Sequence, residues 1–126
     1  MNESILIELR KLFGGSVEPE DLTHFDTDIM IHANTYFANL VQMGAGTPGF
    51  ILSNASQTWA DFVGDTYPPE RLSQIKTYIF IKVRLVFDPP QSSVLMNALK
   101  EEAKELEWRL NCEVDPGMNQ LDVEEV

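Results

Sequence analysis

The sequence predicts an all-α protein, a compact helical bundle of about four to five helices with an extended acidic tail. Three observations support this fold class. Apolar residues recur at helical spacing in five segments of the 126-residue chain. Glycine or proline stands at the boundaries of these segments, where helices commonly end or begin. Only residues 77–87 have the β-branched and aromatic composition typical of a strand.

The first two predicted helices lie before residue 44. The first runs from Glu3 to Phe13 and ends at Gly14-Gly15, because glycine adopts the left-handed C-terminal conformation at little cost. The second runs from about His24 to Met43 after Thr23, whose hydroxyl can accept an unpaired backbone N–H. The predicted buried stripes contain Ile5, Leu6, Leu9, Leu12 and Phe13 in the first helix, and Phe25, Ile29, Ala33, Tyr36, Phe37, Leu40 and Met43 in the second.

Residues 44–55, GAGTPGFILSNA, predict a short irregular or β-like loop, since they contain three glycines and a proline. We expect this loop to be mobile in isolation and to dock onto a neighbouring protein. Its docking candidates are Thr47, Phe50 and Ile51. A short helix is then predicted from Ser56 to Val63, and it carries Trp59 and Phe62.

The last two predicted helices follow Pro68-Pro69, which suit the first turn of a helix. Residues 70–87 could form a helix or, over 77–87, a strand. A helix is favoured because some 18 residues pass without a breaker, and it would then be the central helix. The fifth begins at Ser92 or Ser93 and reaches Leu110 or Asn111. The predicted stripes contain Leu72, Ile75, Ile79, Val83 and Val86 in the fourth helix, and Leu95, Ala98, Leu99, Ala103, Leu106 and Leu110 in the fifth.

These elements divide the chain into a helical bundle domain, residues 1–111, and an acidic arm, residues 112–126. The arm has five acids, no bases and too few apolar residues for a core of its own. It is either disordered or ordered on a neighbouring surface. Its candidate interface residues are Val114, Met118, Leu121 and Val123.

The charge balance argues against direct binding to nucleic acid, because phosphate contacts require Lys and Arg. The net charge is −11, and residues 1–67 hold nine acids against two bases, whereas residues 68–111 are close to neutral. The single cysteine excludes an intramolecular disulfide and favours a reducing compartment. No apolar stretch is long enough for a membrane span, so we expect a soluble, intracellular protein without a membrane partner.

No residue pattern predicts catalysis, a cofactor or a metal. His24 and His32 are eight residues apart, about 12 Å along a helix, which is too far for one zinc ion. The glycines of GAGTPG lack the Lys-Ser/Thr ending of a phosphate loop. Cys112 precedes Glu113, whose charge disfavours the thiolate. The sequence therefore predicts a protein that is not an enzyme.

Two large apolar side chains lie off the predicted stripes. Trp108 is on the polar face of the fifth helix, and Ile31 is about 160° from the centre of the second helix's stripe. Either the 44–55 loop or the arm covers them, or they form a subunit interface, where tryptophan is enriched as an anchor. Ile31 and Trp108 are therefore candidate interface residues.

Four stretches together resemble the small head-tail connector, or adaptor, proteins of tailed bacteriophages. They are ILIELRKLFG near the start, HFDTDIMIHANTYFANLVQMGAG at 24–46, KTYIFIKVRLVFDPPQSS at 76–93 and ELEWRLN at 105–111. The resemblance implies a helical bundle that assembles as a homo-oligomeric ring, commonly twelve-fold. It implies that the ring joins the portal protein to stopper or tail-completion proteins, and that the genome passes through the lumen. It also implies a structural component of the virion neck, assembled in the cytoplasm of the host bacterium.

The acidic composition is compatible with such a conduit, since a basic wall would hold phosphate and resist sliding. We therefore expect acids in loops facing the axis to line a negative lumen. Two alternatives remain open: an accessory factor of DNA packaging, and a regulatory protein whose acids mimic DNA.

Overall fold

The computed structural model describes residues 1–14, 23–87 and 89–114, and this part of the chain contains five helices. They are α1 (Ile5–Gly14), α2 (Thr23–Gln42), α3 (Trp59–Val63), α4 (Pro69–Phe87) and α5 (Ser93–Val114). Within these ranges there is no β-strand, only an isolated antiparallel bridge between Ser4 and Thr58. The predicted all-α bundle is confirmed. Residues 77–87 belong to a helix rather than a strand.

Helix α4 is the centre of the bundle. It packs against α1, α2 and α5, while α1 also packs against α2. An apolar face on each helix makes this arrangement favourable, because burial removes apolar surface from water. The buried core residues include Leu9 from α1, Phe37 and Leu40 from α2, Ile75 and Ile79 from α4, and Ala103 and Leu110 from α5.

Five residues that the stripes placed in the core are exposed instead. All but Ala98 lie within three residues of a helix end, where fewer neighbouring side chains cover them. The exposed residues are Leu12, Phe25, Val86, Leu95 and Ala98. The side chain of Phe13 lies outside the described residues.

The helix starts differ from the sequence prediction at α3. This helix begins at Trp59 rather than near Ser56, because Thr58 forms the N-cap. The Thr58 hydroxyl accepts from the Asp61 N–H at 3.3 Å, and the Asp61 carboxylate accepts from the Thr58 N–H at 2.8 Å. This reciprocal capping box fixes the start of α3. At α5, Ser92 is the residue that caps, since its hydroxyl accepts from the Leu95 N–H at 3.3 Å.

Two polar contacts connect α1 to the rest of the bundle. The Arg10 guanidinium donates to both carboxylate oxygens of the buried Asp26, and this contact raises the pKa of Arg10. Such bidentate pairs hold two helices in a fixed geometry. Glu8 accepts from the indole N–H of Trp59 and lies 3.1 Å from the Lys76 ammonium. One carboxylate therefore links α1, α3 and α4.

Candidate interaction surfaces

The outer face of α5 carries an exposed tryptophan. Trp108 is 67% exposed and projects from the side of α5 opposite Ala103, Leu106 and Leu110. Its surroundings on α5 are charged, with an exposed ion pair between Arg109 and Glu105 at 2.6 Å. No segment of the described part of the chain covers the indole. A large ring left in water at this position is characteristic of an interface anchor.

A second apolar surface lies on the outer side of α2. Ile31 is 57% exposed, and Ile51 of the following loop is 60% exposed. The side chain of Asn34, one turn after Ile31, binds the backbone of Leu52 and thus holds Ile51 on this side of the bundle. We call Ile31 and Ile51 the α2 patch.

The two surfaces lie on different helices. Ile31 belongs to α2 and Trp108 to α5, and each is exposed away from the buried face of its own helix. Trp108 and the α2 patch consequently form two separate apolar surfaces on one molecule.

The loop at 44–55, which the sequence predicts to be mobile, makes several contacts with the core. The Thr47 N–H and hydroxyl both donate to the Phe62 carbonyl at 2.8 Å. Phe50 packs edge-on against Phe37, with ring centroids 5.2 Å apart, and lies 5.0 Å from Phe62. Of the three docking candidates, only Ile51 presents a large exposed apolar side chain, whereas Thr47 and Phe50 anchor the loop to the core.

The Asn34 side chain attaches this loop to α2. Its side-chain N–H donates to the Leu52 carbonyl at 3.0 Å, and its oxygen accepts from the Leu52 N–H at 2.7 Å. Since Leu52 is buried, Asn34→Ala leaves two backbone groups unpaired, and we expect a loss of about 2 kcal/mol in unfolding free energy. Faster hydrogen exchange of the Leu52 amide should accompany that loss.

The matched control for this substitution is Thr35→Ala on the same helix. The Thr35 hydroxyl donates only to the Ile31 carbonyl of its own helix, at 3.4 Å, and the residue is exposed. Its loss should change stability by less than about 0.5 kcal/mol. Equal destabilisation by the two variants in chemical denaturation would show that Asn34 does not fasten the loop.

A cleft of about 570 Å³ lies between α2, α4 and α5. Three lysines line it, against one acid, in a protein whose net charge is −11. Its lining consists of Tyr36, Lys82, Leu85, Val86, Asn97, Lys100, Glu101 and Lys104. Sequence reasoning missed this cleft, because its lysines come from two helices whose packing is not visible in either segment alone.

The lysines differ in their partners. Lys82 lies 3.4 Å from Glu107 and 5.7 Å from the centre of the Tyr36 ring, so it is held by both. Lys104 pairs with Glu101 at 3.7 Å, with both side chains about three-quarters exposed, which makes the pair weak. Lys100 forms no ion pair with any residue of the described ranges. The cleft thus keeps positive charge available for an anionic group.

Burial, together with a smaller contribution from the nearby Glu107 carboxylate, raises the pKa of Tyr78 to about 12. In the unfolded chain a tyrosine titrates near 10. The tyrosine of the unfolded chain therefore loses its proton at a lower pH than the folded one. As a result, the free energy of unfolding falls between about pH 10 and 12, and Tyr78 does not change it below pH 10. The loss should be on the order of 2 kcal/mol.

Denaturant unfolding at pH 9 and at pH 11.5 measures this effect, with Tyr78→Phe as the comparison. Lysines and other tyrosines titrate in both proteins, so the informative quantity is the difference between them. The Phe variant should lose less stability over this interval. An identical alkaline loss would assign the whole effect to other groups.

The remaining predicted residues stand as follows. Val114 is the last residue of α5, which continues three residues beyond Asn111. Met118, Leu121 and Val123 lie outside the described residues. No group of three or more metal-ligating side chains occurs among the described residues, and none of their helices is long and apolar enough to span a membrane.

The organisation just described is a small helical bundle with two apolar outer surfaces. Over residues 5–117, the sequence matches the family model described as phage connector protein. The chain belongs to the phage connector protein family. It is therefore a structural component of the phage head-tail connection, which assembles with other head and tail proteins of the virion. Comparison with curated proteins and with solved structures gave no match. Membership favours the connector interpretation over a packaging factor or a DNA mimic.

Proposed function

We propose that this connector protein is a ring-forming adaptor, which joins the portal protein to a stopper or tail-completion protein in the virion neck. In this proposal about twelve copies form the ring, and the genome passes through its lumen without specific binding. The protein acts through surfaces that bind other proteins and catalyses no reaction.

The observation that carries the proposal is a pair of exposed apolar surfaces on two different helices of one bundle, Trp108 on α5 and the α2 patch. In a cyclic ring, each copy must present two different surfaces, because the contact between neighbours is head-to-tail. We assign the contact to Trp108 of one copy and the α2 patch of the next. A two-fold dimer would instead need only one self-complementary surface.

The charge of the chain supports the proposed conduit. Acids exceed bases by 11, so acids in axis-facing loops would repel the DNA backbone and permit sliding. A basic bore in a reconstruction of the ring would contradict this part of the proposal.

The proposed function is tested by measuring the mass of the protein twice, first alone and then in the presence of the portal protein. Native mass spectrometry of the purified chain gives its own oligomeric state, and the same measurement after mixing with portal rings gives the number of copies bound. We expect stoichiometric binding to the portal and a closed ring in electron micrographs. A chain that remains unbound at micromolar concentrations of both proteins would contradict the adaptor role.

A further inference from the structure

We infer that the outer face of α5 in one copy packs lengthwise and antiparallel on the outer face of α2 in the next copy. This inference rests on the proposed ring and deepens it. It adds Val94 as a second apolar anchor besides Trp108, and it fixes the relative direction of the two helices. The occupant of both exposed faces is a second copy of this chain.

Val94 and Trp108 mark the two ends of the exposed face of α5. They are 79% and 67% exposed, which makes them the most exposed large apolar side chains in the described part of the chain. They lie about 40° apart around the helix axis and about 21 Å apart along it. The exposed positions between them on this face are Ala98, Glu101 and Glu105. None of residues 93–102 is buried, so the first half of α5 lacks cover in the isolated chain.

The exposed face of α2 has the same spacing as that of α5. Its positions, at intervals of three and four residues, are Ile31, Thr35, Ala38 and Gln42. Exposed stripes with these intervals on two helices are typical of helices that pack lengthwise against each other. Thr35 and Ala38 are small, so the backbone of a partner helix can approach closely.

The surface formed by α2 and the following loop is uncharged. Residues 29–60 contain no Asp, Glu, Lys or Arg, in a chain of which 23% of the residues are charged. Depletion of charge is the compositional mark of the centre of a protein interface. A partner that brought unpaired charges to this surface would bury them without compensation. The partner must therefore carry either no charges or charges that are already paired.

The outer face of α5 meets this requirement, because both of its acids are paired on their own helix. The Glu101 carboxylate lies 3.7 Å from the Lys104 ammonium, and the Glu105 carboxylate lies 2.6 Å from the Arg109 guanidinium. The two ends of the face are apolar. One chain thus provides both matching surfaces, and in a ring every copy presents each of them once.

Charge also decides the direction of the two helices when Trp108 lies on Ile31. A parallel arrangement would place Glu105 level with Asp28, because each is three residues before its anchor, and the two acids would repel each other. An antiparallel arrangement places α5 over the uncharged remainder of α2. Val94 then lies about 5 Å beyond Gln42, over the turn at 43–46.

The antiparallel arrangement brings Ala38 level with Glu101, since each is seven residues from its anchor. Ala38→Glu places an acid opposite Glu101, whereas Ala38→Lys places a cation of similar length there. The concentration that gives half-maximal ring formation on the portal, counted in electron micrographs, measures the effect. We expect Ala38→Glu to require at least about tenfold more protein than the parent, and Ala38→Lys no more than about threefold more.

A charge reversal on α5 should rescue the first variant. Ala38→Glu/Glu101→Lys restores opposite charges, so its half-maximal concentration should return to within about threefold of the parent value. Ala38 and Glu101 are both exposed, and Glu and Lys favour helices. Far-UV circular dichroism of each variant alone should therefore match that of the parent.

Val94→Glu tests the second anchor. An acid in the first turn of a helix interacts favourably with the helix dipole, so the melting temperature of the isolated variant should stay within about 2 °C of the parent. In the ring the charge would be buried on an uncharged surface, and we expect at least about tenfold more protein to be required. The matched control is Ser73→Glu, which adds the same charge at an exposed position of α4 and should assemble as the parent does.

The outcomes separate this inference from the proposed function. A parent protein that does not bind the portal would contradict the adaptor role and, with it, the contact between copies. If the parent assembles, normal assembly of Ala38→Glu or Val94→Glu would overturn the antiparallel contact alone. Equal losses in Ala38→Glu and Ala38→Lys, or no rescue by Glu101→Lys, would show that Ala38 and Glu101 do not face each other.

Discussion

Trp108→Ala should abolish ring assembly on the portal while leaving the fold intact. A central aromatic anchor of a protein interface typically contributes about 2 kcal/mol or more, about a 30-fold loss of affinity, and a ring suffers this loss at every contact. The side chain is 67% exposed in the isolated chain, so its removal should lower the melting temperature by no more than about 2 °C. Electron microscopy with portal and a thermal melt of the variant alone measure the two effects.

The matched control is Leu12→Ala. Leu12 is 55% exposed, comparable to Ile31, but it lies on α1. This variant should assemble as the parent protein does, whereas Ile31→Ala should fail in the same way as Trp108→Ala. If Trp108→Ala assembles normally, the indole is not part of the contact between copies.

Mixing the two defective variants tests the head-to-tail contact directly. A Trp108→Ala copy retains its α2 patch, and an Ile31→Ala copy retains its tryptophan. One intact contact can therefore form between them, from the tryptophan of the Ile31→Ala copy to the α2 patch of the Trp108→Ala copy. The opposite contact, between the substituted position 108 and the altered patch, lacks both side chains. We expect heterodimers but no closed rings in native mass spectra. Homodimers of the Ile31→Ala variant would instead indicate a two-fold contact through Trp108.

The helices and their buried faces could be predicted from the sequence, because both depend on the spacing of apolar residues within one segment. Ile75 and Ile79 of α4, for example, repeat every four residues and are both buried. The same rule gave the wrong answer for Phe25, which lies in the first turn of α2. Its ring contacts Phe87 edge-on at 6.1 Å, yet the side chain is 41% exposed.

The candidate surfaces were partly predictable for the same reason. Trp108 and Ile31 deviate from the stripe of their own helix, which is a local signal, and both are exposed in the structure. The lysine cleft is produced by packing: Lys82 of α4 and Lys100 of α5 are 18 positions apart in sequence and line one cavity only once α4 and α5 meet. Neither segment alone predicts that the two helices pack against each other. Exposed residues such as Val94, 79% exposed at the start of α5, also depend on what the neighbouring helices leave uncovered.

In the loop at 44–55, composition alone did not show the role of the glycines. Three glycines in GAGTPG predicted mobility, and the structure shows in addition that Gly46 packs against the core. Its φ of +97° is one that side chains rarely adopt, and a Cβ there would lie 2.2 Å from the Cζ of Phe62. Glycine at this position lets the loop lie directly on the aromatic cluster of Phe37, Phe50 and Phe62.

Gly46→Ala should therefore be among the most destabilising single substitutions in the chain. The new methyl group must displace the buried Phe62 ring, and the backbone must adopt a strained conformation, together costing about 3 kcal/mol or more. Gly49→Ala is the matched control, since Gly49 also has a positive φ, +82°, but nothing lies within 4 Å of the added Cβ. That variant should cost only about 1 kcal/mol. Thermal and denaturant unfolding of both proteins separates the clash from the backbone strain.

A rescue variant keeps the test decisive if Gly46→Ala does not fold. Phe62→Leu shortens the side chain that the methyl group meets, so Gly46→Ala should be less damaging in that background than in the parent. The two substitutions should consequently be non-additive by at least about 1 kcal/mol, as is typical of residues in direct contact. Strict additivity would mean that the loop moves away from Phe62 at little cost. The backbone of Thr47, whose N–H donates to the Phe62 carbonyl at 2.8 Å, opposes that movement.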